Sequence, residues 1–148
     1  MSDNITADEL AIRRLNADYC DAIMRRDADA WGATWADDGQ WFLTDEPTQG
    51  RDNLVAQWLA TMEGFPVVFH QVTNEQIDVS GDTATQRVYV NEELVTADQQ
   101  ALRFVGVYND ELLRTPQGWR YASRRFGILY QGPGALVMDG WMGYPSAG

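Results

Sequence analysis

The stretch Met62-Glu-Gly-Phe-Pro-Val-Val-Phe-His70-Gln-Val-Thr-Asn74 divides this chain of 148 residues into two kinds of pattern. Before it, apolar residues recur every three or four positions, which is typical of helices that bury one face. After it, β-branched and aromatic residues fill four long segments that are separated by turn residues, which is typical of strands. The stretch also contains the only histidine of the chain, within an apolar run.

Three helices are predicted before this boundary. Thr6 and Glu9 have the spacing of a capping box, which predicts a first helix at about 7–26. Asp27 is expected to cap a short second helix, at 28–35, with Trp31 and Trp35 one turn apart on one face. The third helix is expected at about 51–62.

Strands are predicted at 40–43, 67–79, 83–96, 101–115 and 119–130. The short connections between the last four imply antiparallel pairing. Helices followed by such a meander predict an α+β fold, with the helices packed on one face of a strongly curved sheet. The length predicts a single domain, 1–148, whose Gly/Pro-rich tail, 132–148, could cover a pocket or a partner subunit or be mobile.

The charge balance restricts the possible partners. Eleven Lys and Arg against 22 Asp and Glu give a formal net charge of −11, which disfavours nucleic acids and anionic membranes. No apolar run reaches membrane-spanning length, and the N-terminal segment lacks the features of a signal peptide. Because the single cysteine, Cys20, cannot form an internal disulfide, we expect a cytoplasmic protein.

Few kinds of catalysis remain open to such a sequence. One histidine and one cysteine do not supply the ligands of a usual zinc site, and phosphate- or dinucleotide-binding glycine motifs are missing. We therefore expect no metal and no cofactor, and any catalysis is expected to be acid–base chemistry by side chains. His70 is the leading candidate for this chemistry.

Several segments together resemble one family. Tyr19, then Arg26-Asp-Ala-Asp-Ala-Trp31 and Trp35-Ala-Asp-Asp-Gly39, resemble the opening of SnoaL-like domains of the NTF2-like superfamily. Phe69-His-Gln-Val-Thr-Asn74 and Phe104-Val-Gly-Val-Tyr108 fit later parts of the same family. The resemblance covers about residues 8–130. It implies an α+β cone, in which a curved antiparallel sheet encloses an apolar pocket.

The resemblance also implies a site. In the dehydratase and dehydrochlorinase members, a histidine matching His70 is the general base, an aspartate of the first helix supports it, and tyrosines such as Tyr19 polarise the substrate oxygen. Met24 stands where the aspartate would be. Asp21 or Glu92 could replace it, and strand alternation allows only one of Asn91 and Glu92 to face the pocket.

Further residues are candidates for substrate binding. They are Trp31, Trp41, Tyr89, Phe104, Tyr108 and Arg124. The aromatic members could instead be core residues, with strand alternation deciding which of them face the pocket. For Arg124, the alternatives are a substrate carboxylate, an acidic partner in the pocket, and a salt bridge on the outer face of the sheet.

Three functions are compatible with these observations. The first is a cofactor-independent lyase or isomerase that acts by elimination or dehydration on a small hydrophobic substrate, aromatic or polycyclic. The second is a non-catalytic module for binding or assembly, which Met24 favours. The third is the small subunit of a ring-hydroxylating dioxygenase. The resemblance implies a homodimer or a higher homo-oligomer.

Overall fold

The first helix begins at an asparagine cap. In the computed structural model, which describes residues 4–145, the Asn4 side chain accepts a hydrogen bond from the backbone N–H of Ala7 at 3.0 Å. Helix α1 therefore covers Ile5–Arg25, and the prediction that Thr6 caps it is wrong, because Asn4 already serves the free amide. The helix ends at Arg26, whose φ of 55° is left-handed.

The second helix is shorter than predicted. Asp27 caps α2, Ala28–Gly32, by accepting a hydrogen bond from Ala30 at 3.0 Å, as expected. Trp35 is not helical, since it begins strand β1, Trp35–Phe42, and pairs with Tyr121. This strand pairing outweighs the local helical pattern, so Trp31 and Trp35 meet through the fold rather than along one helix.

The rest of the chain follows the predicted order, apart from one short strand that was not predicted. Strand β2 is short, at Thr48–Gln49, and helix α3 covers Arg51–Glu63. The long strands follow in sequence order: β3 at Val67–Ser80, β4 at Thr83–Val95, β5 at Ala101–Thr115 and β6 at Gly118–Pro133.

One six-stranded sheet results, with the order β2-β1-β6-β5-β4-β3. The four long strands form the expected antiparallel meander, whereas β1 pairs with β6 in parallel. The turn signals did not predict this parallel pair, since the chain between the two strands runs through one helix and the meander. The fold is an α+β cone with three helices and an unclosed, curved sheet.

Irregularities in the ladder bend the sheet. The register between β3 and β4 shifts between Thr73 and Gln76, where Asn74 has a φ of 59°. Two further shifts interrupt the pairing of β5 with β6. Each such bulge increases the local bend and twist of the sheet. The sheet therefore curves around α1 and α3, and a space remains between its inner face and these helices.

A cluster of four tryptophans fills the core between α2, α3 and β1. Trp31 stacks on Trp58, with ring centroids 5.2 Å apart and planes 14° apart, and it also contacts Trp35 and Trp41. Large flat side chains of this kind bury much apolar area. The cluster therefore holds α2 and α3 against β1 of the sheet.

The C-terminal segment lies on the outer face of the sheet. After β6 ends at Pro133, the backbone of Ala135 donates to Glu93 at 2.8 Å, and a short 3₁₀ turn covers Met138–Gly140. Residues of this C-terminal segment lie beside Phe69, Asn91 and Arg103, whose side chains point away from the interior. The last part of the predicted tail, 146–148, is outside the described residues. Within residues 4–145, no helix is long and apolar enough to cross a membrane.

Candidate active site

His70 points into the cone from β3. The side chain is 3% exposed, whereas its neighbour Phe69 lies on the outer face of the sheet. The backbone N–H of His70 donates to the thioether of Met24 at 3.4 Å. Met24 therefore lies against the strand that carries the histidine, although it supplies no carboxylate.

Glu92 supplies the carboxylate instead. His70 and Glu92 are opposite each other in the β3–β4 ladder, and the Nδ1 atom of His70 lies 2.6 Å from Oε2 of Glu92. A short contact of this kind is a charge-assisted hydrogen bond that fixes the orientation of the ring. Among residues 4–145, the other ring nitrogen, Nε2, is buried and has no hydrogen-bond partner.

The electrostatic surroundings favour a charged histidine. Burial disfavours the imidazolium, but the neighbouring Cys20 thiol and the Glu92 carboxylate outweigh burial and raise the pKa of His70 to about 9. At neutral pH the site therefore holds an imidazolium–carboxylate pair with no net charge. This pair is suited to giving and taking a proton inside an apolar cavity.

Asp21 does not take part in this arrangement. Its carboxylate lies on the exposed side of α1 and pairs with Arg25 at 3.6 Å. The hypothesis that Asp21 orients His70 is wrong, because helix geometry turns position 21 to the solvent while Tyr19 and Ile23 face the interior. Asn91 points to the outer face and donates to Gln71 at 3.3 Å, which leaves Glu92 on the inner face.

Two tyrosines stand beside the histidine. The ring centroids of Tyr19 on α1 and Tyr108 on β5 lie 6.0 Å and 6.2 Å from that of His70. Burial raises the pKa of both phenols, although the positive charge of Arg124 opposes this effect. Both hydroxyls therefore stay protonated at neutral pH and can donate hydrogen bonds.

These groups line a cavity of about 110 Å³. His70, Glu92, Tyr19 and Tyr108 supply most of its polar atoms. The remaining wall is largely apolar and comes from both the helices and the sheet; it includes Ile23, Trp41, Trp58, Phe65, Leu94 and Phe126. An apolar concavity with a few converging polar groups is the usual form of a small-molecule site.

A larger depression elsewhere lacks this chemistry. It has a volume of about 870 Å³ and lies between α2, α3 and the β5–β6 turn, where charged side chains such as Asp37, Arg51 and Arg120 are open to solvent. Because it contains neither the histidine nor a buried titratable pair, we assign the site to the smaller cavity. Among residues 4–145, no three His, Cys, Asp or Glu side chains are grouped to hold a metal.

The predicted binding residues divide into two groups. Trp41 and Tyr108 line the cavity, whereas Trp31 is completely buried in the tryptophan cluster. Phe104 faces the same side as Glu92 and packs on the core without lining the cavity. Tyr89 is on the outer face, since it is one position out of step with the inward Val88 and Val90, so its prediction is wrong.

Arg124 lies neither in the cavity wall nor on the outer face. It is fully buried, and its Nε and Nη2 atoms each donate to Asp110 at 2.8 Å. The alternative of a salt bridge on the outer face is therefore wrong, because the register shift between Tyr121 and Ser123 turns Arg124 inward and leaves Arg125 outside.

The predicted site residues do not include Trp58, Phe65, Leu94 and Phe126, which line the cavity. The helical spacing of Trp58 with Leu54 and Met62 indicates only the buried side of α3. Phe65 and Phe126 depend on the curvature of the sheet and on the turn after α3. A local pattern does not contain that information.

Comparisons with known proteins agree with this architecture. The SnoaL-like domain profile matches residues 4–125. An uncharacterized protein of Mycobacterium tuberculosis is 36% identical over 122 residues, which cover 80% of this chain and 83% of the relative.

Two solved structures have similar folds. A candidate scytalone dehydratase from Novosphingobium aromaticivorans superposes with a TM-score of 0.82 at 19% identity, and 92% of this chain and 93% of that one are covered. A hexachlorocyclohexane dehydrochlorinase, LinA-type3, from Novosphingobium barchaimii has a TM-score of 0.77 at 20% identity, with 95% and 97% covered. At these identities the likeness concerns the fold.

Proposed function

The chain belongs to the SnoaL-like domain family, and from this premise we propose that it is a cofactor-independent lyase. In this proposal it eliminates water from a small, uncharged, single-ring β-hydroxy ketone or a compound of similar shape. The observation that carries the proposal is the 2.6 Å contact between His70 and Glu92 at the wall of an apolar cavity. The dehydrochlorinase and the candidate dehydratase named above support a lyase, because dehydrochlorination and dehydration are both eliminations.

His70 is the proposed base. In its neutral form, it removes the proton from the carbon next to the carbonyl, and the C–H electron pair forms an enolate. The Glu92 carboxylate stabilises the imidazolium that results, which makes the histidine a stronger base. The imidazolium then gives its proton to the departing hydroxyl group, so that water leaves and neutral His70 returns.

Tyr19 and Tyr108 are the proposed hydrogen-bond donors to the enolate oxygen. Both hydroxyls are carried by buried rings beside His70, so their positions are set before the substrate arrives. Donors that are fixed where negative charge develops lower the barrier more than solvent does, because they need no reorganisation.

The volume of the cavity favours a single ring. A cavity of about 150 Å³ in another protein holds benzene, so a space of about 110 Å³ favours a single ring over a fused ring system. This narrows the expected substrate from aromatic or polycyclic compounds to single-ring ones. At neutral pH the imidazolium of His70 and the carboxylate of Glu92 cancel each other's charge. We therefore expect the substrate to be uncharged.

The proposal is tested with 3-hydroxycyclohexanone, whose loss of water is followed by the ultraviolet absorbance of the enone. We expect His70→Gln to lower kcat by about 10²–10⁴-fold, which is the usual contribution of one acid–base group. Glu93→Gln is a matched control, because Glu93 is next to Glu92 on β4 and faces the C-terminal segment outside the cone.

Unchanged turnover in His70→Gln would exclude the mechanism. Binding of the ketone without conversion by the wild-type protein would favour the second candidate, a binding module. Met24, which replaces the acidic residue of similar folds with an apolar one, is the observation that favours this alternative.

A further inference from the structure

A buried ion pair lies behind the two tyrosines of the site. Arg124 and Asp110 are joined by two hydrogen bonds of 2.8 Å, and both side chains are fully buried. Gln86 also donates to Asp110 at 2.8 Å and is itself bonded to Asn16 of α1. The carboxylate is thus held by several donors, which fixes the arginine in one orientation.

Three tyrosine rings surround the guanidinium. Its central carbon lies 3.8 Å from the ring centroid of Tyr108, 4.0 Å from that of Tyr121 and 4.5 Å from that of Tyr19. Among residues 4–145, its Nη1 atom is buried without a hydrogen-bond partner. Asp110 therefore compensates the cation on one side only, while Tyr19 and Tyr108 separate it from the cavity.

We propose that Arg124 is a positioning residue that acts through Tyr19 and Tyr108, so that their hydroxyls stabilise negative charge on a ligand oxygen in the cavity. The inference deepens the proposed function and rests on it for the role of the two tyrosines. Arg124 does not touch the ligand in this arrangement.

The physical basis is a cation fixed in a place that water does not reach. A positive charge within a few ångströms of a phenol ring stabilises negative charge on the phenol and so makes its hydroxyl a stronger hydrogen-bond donor, and the effect is larger inside a protein than in water. The planar fork of arginine can bond Asp110 on one edge and stack on rings with its faces. Lysine has no such geometry, so it cannot reproduce both contacts.

The experiment uses 4-nitrophenol, a single-ring probe whose neutral and anionic forms absorb differently. Titration of the bound and the free probe gives the preference of the cavity for the anion without any turnover. We expect the wild-type protein to bind the phenolate more tightly than the phenol, and the uncharged pair Asp110→Asn with Arg124→Gln to reduce this preference by about tenfold or more.

A variant that lacks both tyrosine hydroxyls tests whether Arg124 acts through them. With Tyr19→Phe and Tyr108→Phe already present, the same change at positions 110 and 124 is expected to have no further effect on the preference. Arg124→Lys, which keeps the charge but loses the fork, is expected to lie between the wild type and the uncharged pair. If the double variant does not fold, Arg124→Lys still measures the dependence of the phenolate preference on Arg124.

Three results would overturn the inference. They are a wild-type protein without preference for the phenolate, an uncharged pair that retains the wild-type preference, and an effect of Arg124 that persists in the Phe background. The last result would mean that Arg124 acts on the ligand directly and not through the tyrosines. Because the probe is not a substrate, loss of the Arg124 effect and failure to dehydrate 3-hydroxycyclohexanone are separate outcomes.

Discussion

His70 obtains its carboxylate from a different element than the family resemblance implies. Met24 holds the expected position on α1 and accepts a hydrogen bond from the histidine backbone, while Glu92 approaches from the neighbouring strand. The imidazole is therefore oriented across a strand ladder, which is a rigid connection. The missing aspartate does not exclude acid–base chemistry, because an equivalent charge reaches Nδ1 from β4.

The raised pKa of His70 predicts a pH dependence of stability. The folded protein holds this proton up to a pH of about 9, whereas an unfolded histidine loses it near 6.5. The folded state therefore binds more protons between these values, so the contribution to stability is complete below pH 6.5 and is lost as the pH rises to 9. The contribution is on the order of 3 kcal/mol.

Urea unfolding of the wild type and of His70→Gln at several pH values measures this effect. The difference in unfolding free energy between the two proteins should shrink as the pH rises from 6.5 to 9. A difference that stays constant over this window would show that the histidine has an ordinary pKa in the folded state.

At the scale of elements, the caps and strand faces decide where the site residues point. Asp27 caps α2, which carries Trp31 into the centre of the tryptophan cluster. Trp41 and Trp58 belong to this cluster and also line the cavity. The cap thus supports a wall of the site from a distance.

Asp27→Ala is expected to lower the free energy of unfolding by about 1 kcal/mol, which is the usual cost of losing an N-cap. Asp21→Ala is the comparison, since its exposed carboxylate should change stability by no more than about 0.5 kcal/mol. Chemical denaturation measures both. Equal losses in the two variants would mean that the cap of α2 contributes nothing specific.

Much of this level could be predicted from the sequence. The boundaries of the four long strands and the Asp27 cap follow from turn residues and capping chemistry, and side-chain alternation predicts that only one of Asn91 and Glu92 faces the interior. Trp35 could not be placed, because its strand forms only by pairing with β6, more than 80 residues later. The face of the sheet on which Tyr89 and Arg124 lie depends on the register of their strands. That register is set by the pairing of the whole sheet.

At the scale of the molecule, the cone determines which ligands can enter. Helices α1 and α3, the turn after α3 and five strands each contribute to the cavity wall, so its small volume is a property of the whole fold. The sequence indicated an apolar pocket through its resemblance to a family, but it contained no measure of size.

Enlarging the cavity should change the substrate preference. Phe65→Ala removes a half-buried ring from the wall, so we expect kcat/KM for a fused bicyclic β-hydroxy ketone to rise by about tenfold relative to 3-hydroxycyclohexanone. Leu129→Ala, on the exposed part of β6, should leave the ratio unchanged. If Phe65→Ala also left it unchanged, the turn after α3 would not limit the size of the substrate.

The pH dependence of kcat/KM for 3-hydroxycyclohexanone tests the central proposal, that Glu92 makes His70 a strong base, most directly. For the wild type and the Glu93→Gln control, the rate should rise by about tenfold per pH unit and level off near pH 9, where neutral His70 predominates. In Glu92→Gln the inflection should move to lower pH and the plateau should fall, since the imidazolium loses its partner. An inflection at the same pH in the wild type and in Glu92→Gln would contradict the account.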